Sequence, residues 1–325
     1  MNLQRRQLLG LAAGAASVAL LPRIAVAQPY PSRPVRLVAA FPAGGTSDII
    51  SRLVGKWLSE RLGQPVVVEN RPGAGANIGT EAVVRAPPDG YTLLMVTTSN
   101  TVSPSLYERL NYNFIRDISP VATVARVPIV MEVNPSFPVK TVPEFIAYAK
   151  ARSGKINMAS GGNGGSGHMS GELFMMMTGV NLGHVPYRGA APALAALLGG
   201  QVDVMFDQMT SSIGYIRAGQ LRALGVATAA RVEMLPEVPA VCESVPGYEA
   251  SSWYGIGAPR KTPVEIVERL NREINAALAD HKLRARLADL GAEPLSLAPN
   301  EFEKFVIAET EKWGKVVKTA GIKAD

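Results

Sequence analysis

The chain has 325 residues, 47% hydrophobic and 18% charged, with a formal net charge of +6, one cysteine and three histidines. This length suffices for about two domains with a substantial core. The lone Cys242 excludes an intramolecular disulfide, and with no lysine or arginine run the positive balance does not point to nucleic acid.

Residues 1–27 read as an export signal. Arg5 and Arg6 precede an uncharged apolar run over 8–21, and Ala25-Val26-Ala27 offers the small residues a signal peptidase needs. The run is too short and too rich in Ala and Gly for a membrane span. The arginine pair followed by Gln7-Leu8-Leu9 looks like a twin-arginine signal, with the general secretory route as the alternative. Cleavage before Gln28 removes three arginines and no acids, leaving 30 basic against 27 acidic residues and a charge of +3. No later segment has the roughly 20 apolar residues of a span, so a soluble periplasmic protein is expected, held by its core rather than by disulfides.

Residues 33–48, RPVRLVAAFPAGGTSD, predict a buried strand, a glycine turn and a helix start. Ile50, Leu53, Val54, Trp57, Leu58 and Leu62 then recur at helical spacing. The turn aims unpaired N–H groups outward beside the positive end of a helix dipole, which suits an anion. An ordinary capped strand-to-helix connection is the bland alternative.

Strands are predicted over 65–69 and 91–96, with a short helix over 78–85 between them. The third strand ends in Thr97-Thr98-Ser99-Asn100. Strand signal returns over 121–133, interrupted by Pro128, and is followed by helix 142–152, strand 156–159, helices 169–178 and 192–198, and strands 202–206 and 221–227. After Trp253-Tyr254-Gly255-Ile256-Gly257 the pattern is helical, over 263–279, 282–290 and 299–320. Regular alternation argues an α/β fold with a mostly parallel sheet in each of two lobes and a cleft between them. Crossings near 125 and 250 divide the mature chain into 28–125 plus 250–325 and 126–249.

A second glycine loop, SGGNGGSG over 160–167, joins a strand to a helix start. It satisfies GxGxxG literally, but no acid lies about 20 residues on to hold a ribose, so no dinucleotide is expected. Its N–H groups and small hydroxyls repeat the logic of the first turn. Other constellations carry less. His168, His184 and His281 have no metal-site spacing; His168 is expected to cap or line the loop, and His184 to sit at a strand edge. Ser166 with His168 lacks the geometry of a nucleophile and base. Asp203 and Asp207 do not make an acid/base pair, and Met175-Met176-Met177 reads as core filling.

The segments FPAGGTSD (41–48), ENRPGAGANIG (69–79), PPDGYTLL (87–94), HVPYRG (184–189), GQLRALGVAT (219–228), LPEVP (235–239) and PGYEASSWYGIGAP (246–259) run in order along the chain. They resemble the Bug-type periplasmic solute-binding receptors of tripartite tricarboxylate transporters. That resemblance implies a two-lobed venus-flytrap periplasmic binding protein that grips a small organic acid between two turns. Over 240–245 the sequence departs from the family pattern, away from both turns.

The expected ligand is a small carboxylate, and the expected partners are the membrane subunits of such a transporter. No cofactor, no metal and no catalysis are expected, and the chain should act as a monomer. Phe41, Ala43, Gly44, Gly45, Thr46 and Ser47 should contact the ligand from one lobe, and Ser160, Gly161, Ser166 and His168 from the other. Ser99, Asn100 and Asp207 should reach its remainder. Asp48 either answers the helix dipole or holds a ligand amino group or bridging water. An extracytoplasmic sensor and an exported α/β hydrolase are the alternatives, and the identity of the acid stays open.

Overall fold

The computed structural model describes residues 30–324; the export signal and its cleavage site lie outside the described residues. Strand β1 (Val35–Ala39) is buried except at Arg36, as its apolar run requires. It leads through the first glycine turn into α1 (Thr46–Leu62), which Gly63 ends at φ 70°. Then follow β2 (Val66–Asn70), α2 (Asn77–Val84) and the wholly buried β3 (Thr92–Thr97).

Two short helices come next, α3 (Thr98–Leu106) and α4 (Phe114–Asp117). The polar, proline-containing sequence of α3 gives no helical periodicity. Asn100 starts this helix by accepting the Thr97 N–H at 2.8 Å, and Val102 and Leu106 anchor it in the core.

Strand β4 (Ile118–Val133) continues through both Pro120 and Pro128. After it come α5 (Val142–Ala151), β5 (Asn157–Ser160), α6 (Ser166–Thr178), β6 (Gly183–Pro186), α7 (Ala190–Leu198) and β7 (Val204–Gln208). Helix α8 (Met209–Arg217), unmarked in the sequence pattern, and β8 (Arg222–Val226) complete this half. The chain then runs through β9 (Ser251–Pro259), α9 (Val264–Ala279), α10 (His281–Asp289), β10 (Glu293–Pro294) and α11 (Pro299–Ala320).

The strands pair in the order β2-β1-β3-β9-β4-β7-β5-β6, with β8 and β10 also on β4. Strands β1, β2 and β3 are parallel, as are β5, β6 and β7; β4 and β9 make the antiparallel pairs. β4 serves both halves. Up to Pro128 it pairs with β9, and from Ile129 with β7. Its length and near-total burial make it the shared spine of the molecule.

One core gathers Phe145, Phe174, Phe206 and Tyr248; another gathers Leu94, Val96, Trp253 and Phe302. Helix α11 joins them, placing Phe302 and Val306 in the second and Trp313, Val316 and Val317 in the first. Glu309 sits between, accepting the indole N–H of both Trp253 and Trp313 at 3.0 Å. Met175 packs against a core, but Met176 and Met177 are 44% and 37% exposed, because three successive helical residues cannot share one buried face.

Candidate functional site

A cavity with an empty volume of about 590 Å³, part of it open to solvent, lies at the carboxyl ends of β1, β3, β5 and β7. This is where open α/β sheets hold ligands. Its wall carries the first residues of four helices: Thr46 of α1, Thr98 of α3, Ser166 of α6 and Ala190 of α7. Gln208, the residue before α8, completes the set. First-turn N–H groups have no intrahelical acceptor, and each helix presents its positive end, so these helix starts favour an anion without a cation in the wall. No lysine or arginine lines it, and Arg188 is exposed outside it.

Thr46, Ser47, Thr97 and Thr98 line the cavity, and their hydroxyl oxygens are buried with no hydrogen-bond partner. Four unanswered hydroxyls on one wall are costly unless something polar fills the space. Ser166 Oγ accepts from Gln208 Nε2 at 2.6 Å, a bond that does not use the serine's own proton. Phe41, Pro42, Phe206 and Tyr254 supply the apolar walls.

Of the expected contacts, Phe41, Gly45, Thr46, Ser47, Ser99, Gly161, Ser166 and Asp207 line this cavity. Six do not. Ala43 and Gly44 are exposed, and the Gly44 N–H already donates to Asp48 Oδ2 at 3.1 Å. Asp48 pairs with Arg52 at 2.9 Å; burial raises its pKa, but the Arg52 and Gly44 hydrogen bonds outweigh this and hold it below the ordinary value. Asp48 thus organises the turn from behind. Asn100 is turned away, donating to Thr80 Oγ1 at 2.7 Å while starting α3. Ser160 Oγ bonds His184 Nε2 at 2.7 Å, and His168 fastens the second loop. The two imidazoles stack with centroids 3.8 Å apart.

Sequence reasoning missed Thr97, Thr98, Gly189, Ala190, Gln208, Ser252 and Tyr254 as lining residues. Helix-start residues after each parallel strand were the available signal at Thr98 and Gln208. Nothing local marks Ser252 and Tyr254, which arrive on the antiparallel β9. Glycines let the walls approach. A Cβ on Gly167 would strike the Phe206 carbonyl oxygen, and one on Gly189 would lie 3.2 Å from Pro42 Cγ, across the cavity.

Two halves sharing one spine, with a polar cavity ringed by helix starts, define a two-lobed α/β solute-binding protein of the venus-flytrap type. Among known proteins the family model of the tripartite tricarboxylate transporter receptors matches residues 50–322, and the chain belongs to that family. Protein BugT of Bordetella pertussis is 37% identical over 300 residues, spanning 91% of this chain and 92% of BugT. The structure of Rpa4515 from Rhodopseudomonas palustris with adipate superposes with a TM-score of 0.88 at 40% identity, covering 90% of this chain and 99% of that one. MatC from the same organism, with bound malate, gives 0.84 at 34% identity, covering 89% and 100%. The family is one of periplasmic receptors rather than enzymes.

Proposed function

We propose that this protein captures a small organic carboxylate in the cavity and delivers it to the membrane subunits of a tripartite tricarboxylate transporter. The observation that carries the reading is the wall of four orphaned hydroxyls among helix N-termini, with no lysine or arginine. Hydroxyl and N–H donors satisfy a carboxylate, and the ligand in turn satisfies them. Adipate in Rpa4515 and malate in MatC make a carboxylate the natural ligand class here.

In this reading Thr46, Ser47, Thr98 and Ser99 face the ligand from one lobe and Gly161, Ser166 and Gly167 from the other. The lobes are residues 28–125 with 250–325, and 126–249, hinged along β4 and β9. The chain is exported by its N-terminal signal and works as a monomer in the periplasm. A hydrolytic role is the weaker reading, since in the cavity wall the Ser166 hydroxyl meets Gln208 rather than a base, and the Ser160–His184 pair does not line the cavity.

A thermal-shift screen over organic acids tests the proposal, because a ligand at 100 times its Kd adds roughly 2.7 kcal/mol of stability. The best acid should then lose most of its affinity as the corresponding amide, whose N–H donors would face N–H donors. With no cation in the wall, affinity should change little between low and several hundred millimolar salt. An amide that binds as well as its acid, or no response to any carboxylate, overturns the assignment.

A further inference from the structure

Asp207 is the one charged residue in the cavity wall, and it stands on a proton relay that reaches the core. Its Oδ2 accepts the hydroxyls of Ser211 at 2.6 Å and Ser212 at 2.9 Å. Ser212 Oγ also lies 2.8 Å from Oε1 of Glu132, a β4 residue with no exposed surface. A serine hydroxyl carries one proton and can donate to only one of these carboxyls. The other must bring a proton and donate to Ser212 in return.

Glu132 is the one that must. Its Oε2 has no partner. An ionised carboxylate left half unanswered in a sealed core is far costlier than a neutral acid with one idle carbonyl lone pair. Burial pushes the Glu132 carboxyl well above its ordinary range, and the neighbouring Asp207 charge adds to the push. Burial raises Asp207 too; the Ser212 hydroxyl opposes the rise at both carboxyls, but the Ser211 hydroxyl and the Gln208 backbone N–H oppose it at Asp207 alone. The order is therefore Glu132 O–H to Ser212, and Ser212 O–H to Asp207. The pair keeps one negative charge, on the cavity side. Tyr254 on β9 also lines the wall beside Asp207, and no histidine, lysine or arginine does.

Resting on the proposed carboxylate-binding function, we infer that the ligand is a carboxylate that also carries a hydrogen-bond donor, an ammonium or a hydroxyl, received by Asp207. The helix starts take the acid group. A second ionised carboxylate would meet Asp207 as a like charge in a space with little water to screen it.

The test is calorimetry on the mature protein with succinate, glutarate and adipate. Each is compared with its 2-amino and 2-hydroxy derivatives, and with the acids in which one carboxylate is replaced by an aminomethyl or hydroxymethyl group. The tightest ligand should bear an ammonium or hydroxyl and bind at least tenfold better than the plain dicarboxylate of its length. Asp207→Asn should weaken that ligand tenfold or more while leaving the plain dicarboxylate unchanged or tighter. Glu132→Gln, which keeps a donor toward Ser212, should preserve the preference. If carboxylates bind but plain dicarboxylates match the donor-bearing acids, or Asp207→Asn weakens both alike, this inference falls and the proposed function stands. If no carboxylate binds, both fall.

Discussion

Nδ1 of His168 accepts the backbone N–H of Gly164 at 3.1 Å, so this nitrogen carries no proton and Nε2–H is left to donate to Glu172 Oε1 at 3.2 Å. The side chain closes the second glycine loop on itself from the first turn of α6. Expected both to cap this loop and to touch the ligand, His168 does the first and does not line the cavity. His168→Ala would leave the buried Gly164 N–H unanswered and should cost about 1–3 kcal/mol in denaturant unfolding. His168→Asn, whose side-chain oxygen can take the place of Nδ1, should recover most of that loss. Equal losses in both variants would show that the ring stack on His184 matters more than this hydrogen bond.

The hydroxyls facing the cavity should separate binding from stability. Thr98→Val keeps the shape of the side chain and removes a buried oxygen that has no partner. Its unfolding free energy should be unchanged or slightly higher. Affinity for the best acid from the screen should fall by about 1.5–3 kcal/mol, the range for a hydrogen bond to a charged group. Calorimetry and chemical denaturation on the same preparation check both halves.

Glu132 should leave a signature in stability against pH. A carboxyl whose pKa is higher folded than unfolded stabilises the fold fully below its unfolded value, here 4.5, and that contribution is lost as pH rises toward the folded value. The loss is about 1.4 kcal/mol per pH unit for one proton. Glu132→Gln holds no titrating proton, so its stability should gain on the parent by about that slope from about pH 5 upward. Parallel curves from pH 5 to 8 would mean that Glu132 is ionised in the folded protein.

The glycines of the two turns should differ in tolerance. Gly167→Ala would drive its Cβ into the Phe206 carbonyl oxygen, a backbone atom that cannot step aside, and should destabilise severely. Gly45→Ala meets nothing nearer than the Pro42 oxygen at 3.9 Å, at an unstrained φ of −87°, and should fold normally. Gly44, at φ 85°, is the residue of that turn where a side chain brings strain. Melting curves of the three alanine variants check the order.

Much of the scaffold follows from local pattern alone. The apolar run at Val35 and Leu37, the helical spacing of Ile50, Val54 and Leu58, and the glycine breaks at 44–45 and 161–167 fix strands, helices and turns through short-range sterics and periodicity. Helix α3 was not legible, because its stability comes from the Asn100 cap and from burial of Val102 and Leu106 rather than from propensity.

At the site, sequence marked which turns would offer N–H groups but not which of those groups are already in use. Thr46 and Gly44 look equivalent in FPAGGTSD. Only folding sends the Gly44 N–H to Asp48 and puts Thr46, its buried hydroxyl unanswered, in the cavity wall. Likewise Asp207 reads as one more strand-end acid until Glu132 and Ser212, from distant segments, are packed beside it. Periodicity and turn chemistry act over a few residues, whereas the satisfaction of a polar group depends on whatever the tertiary fold brings within about 3 Å of it.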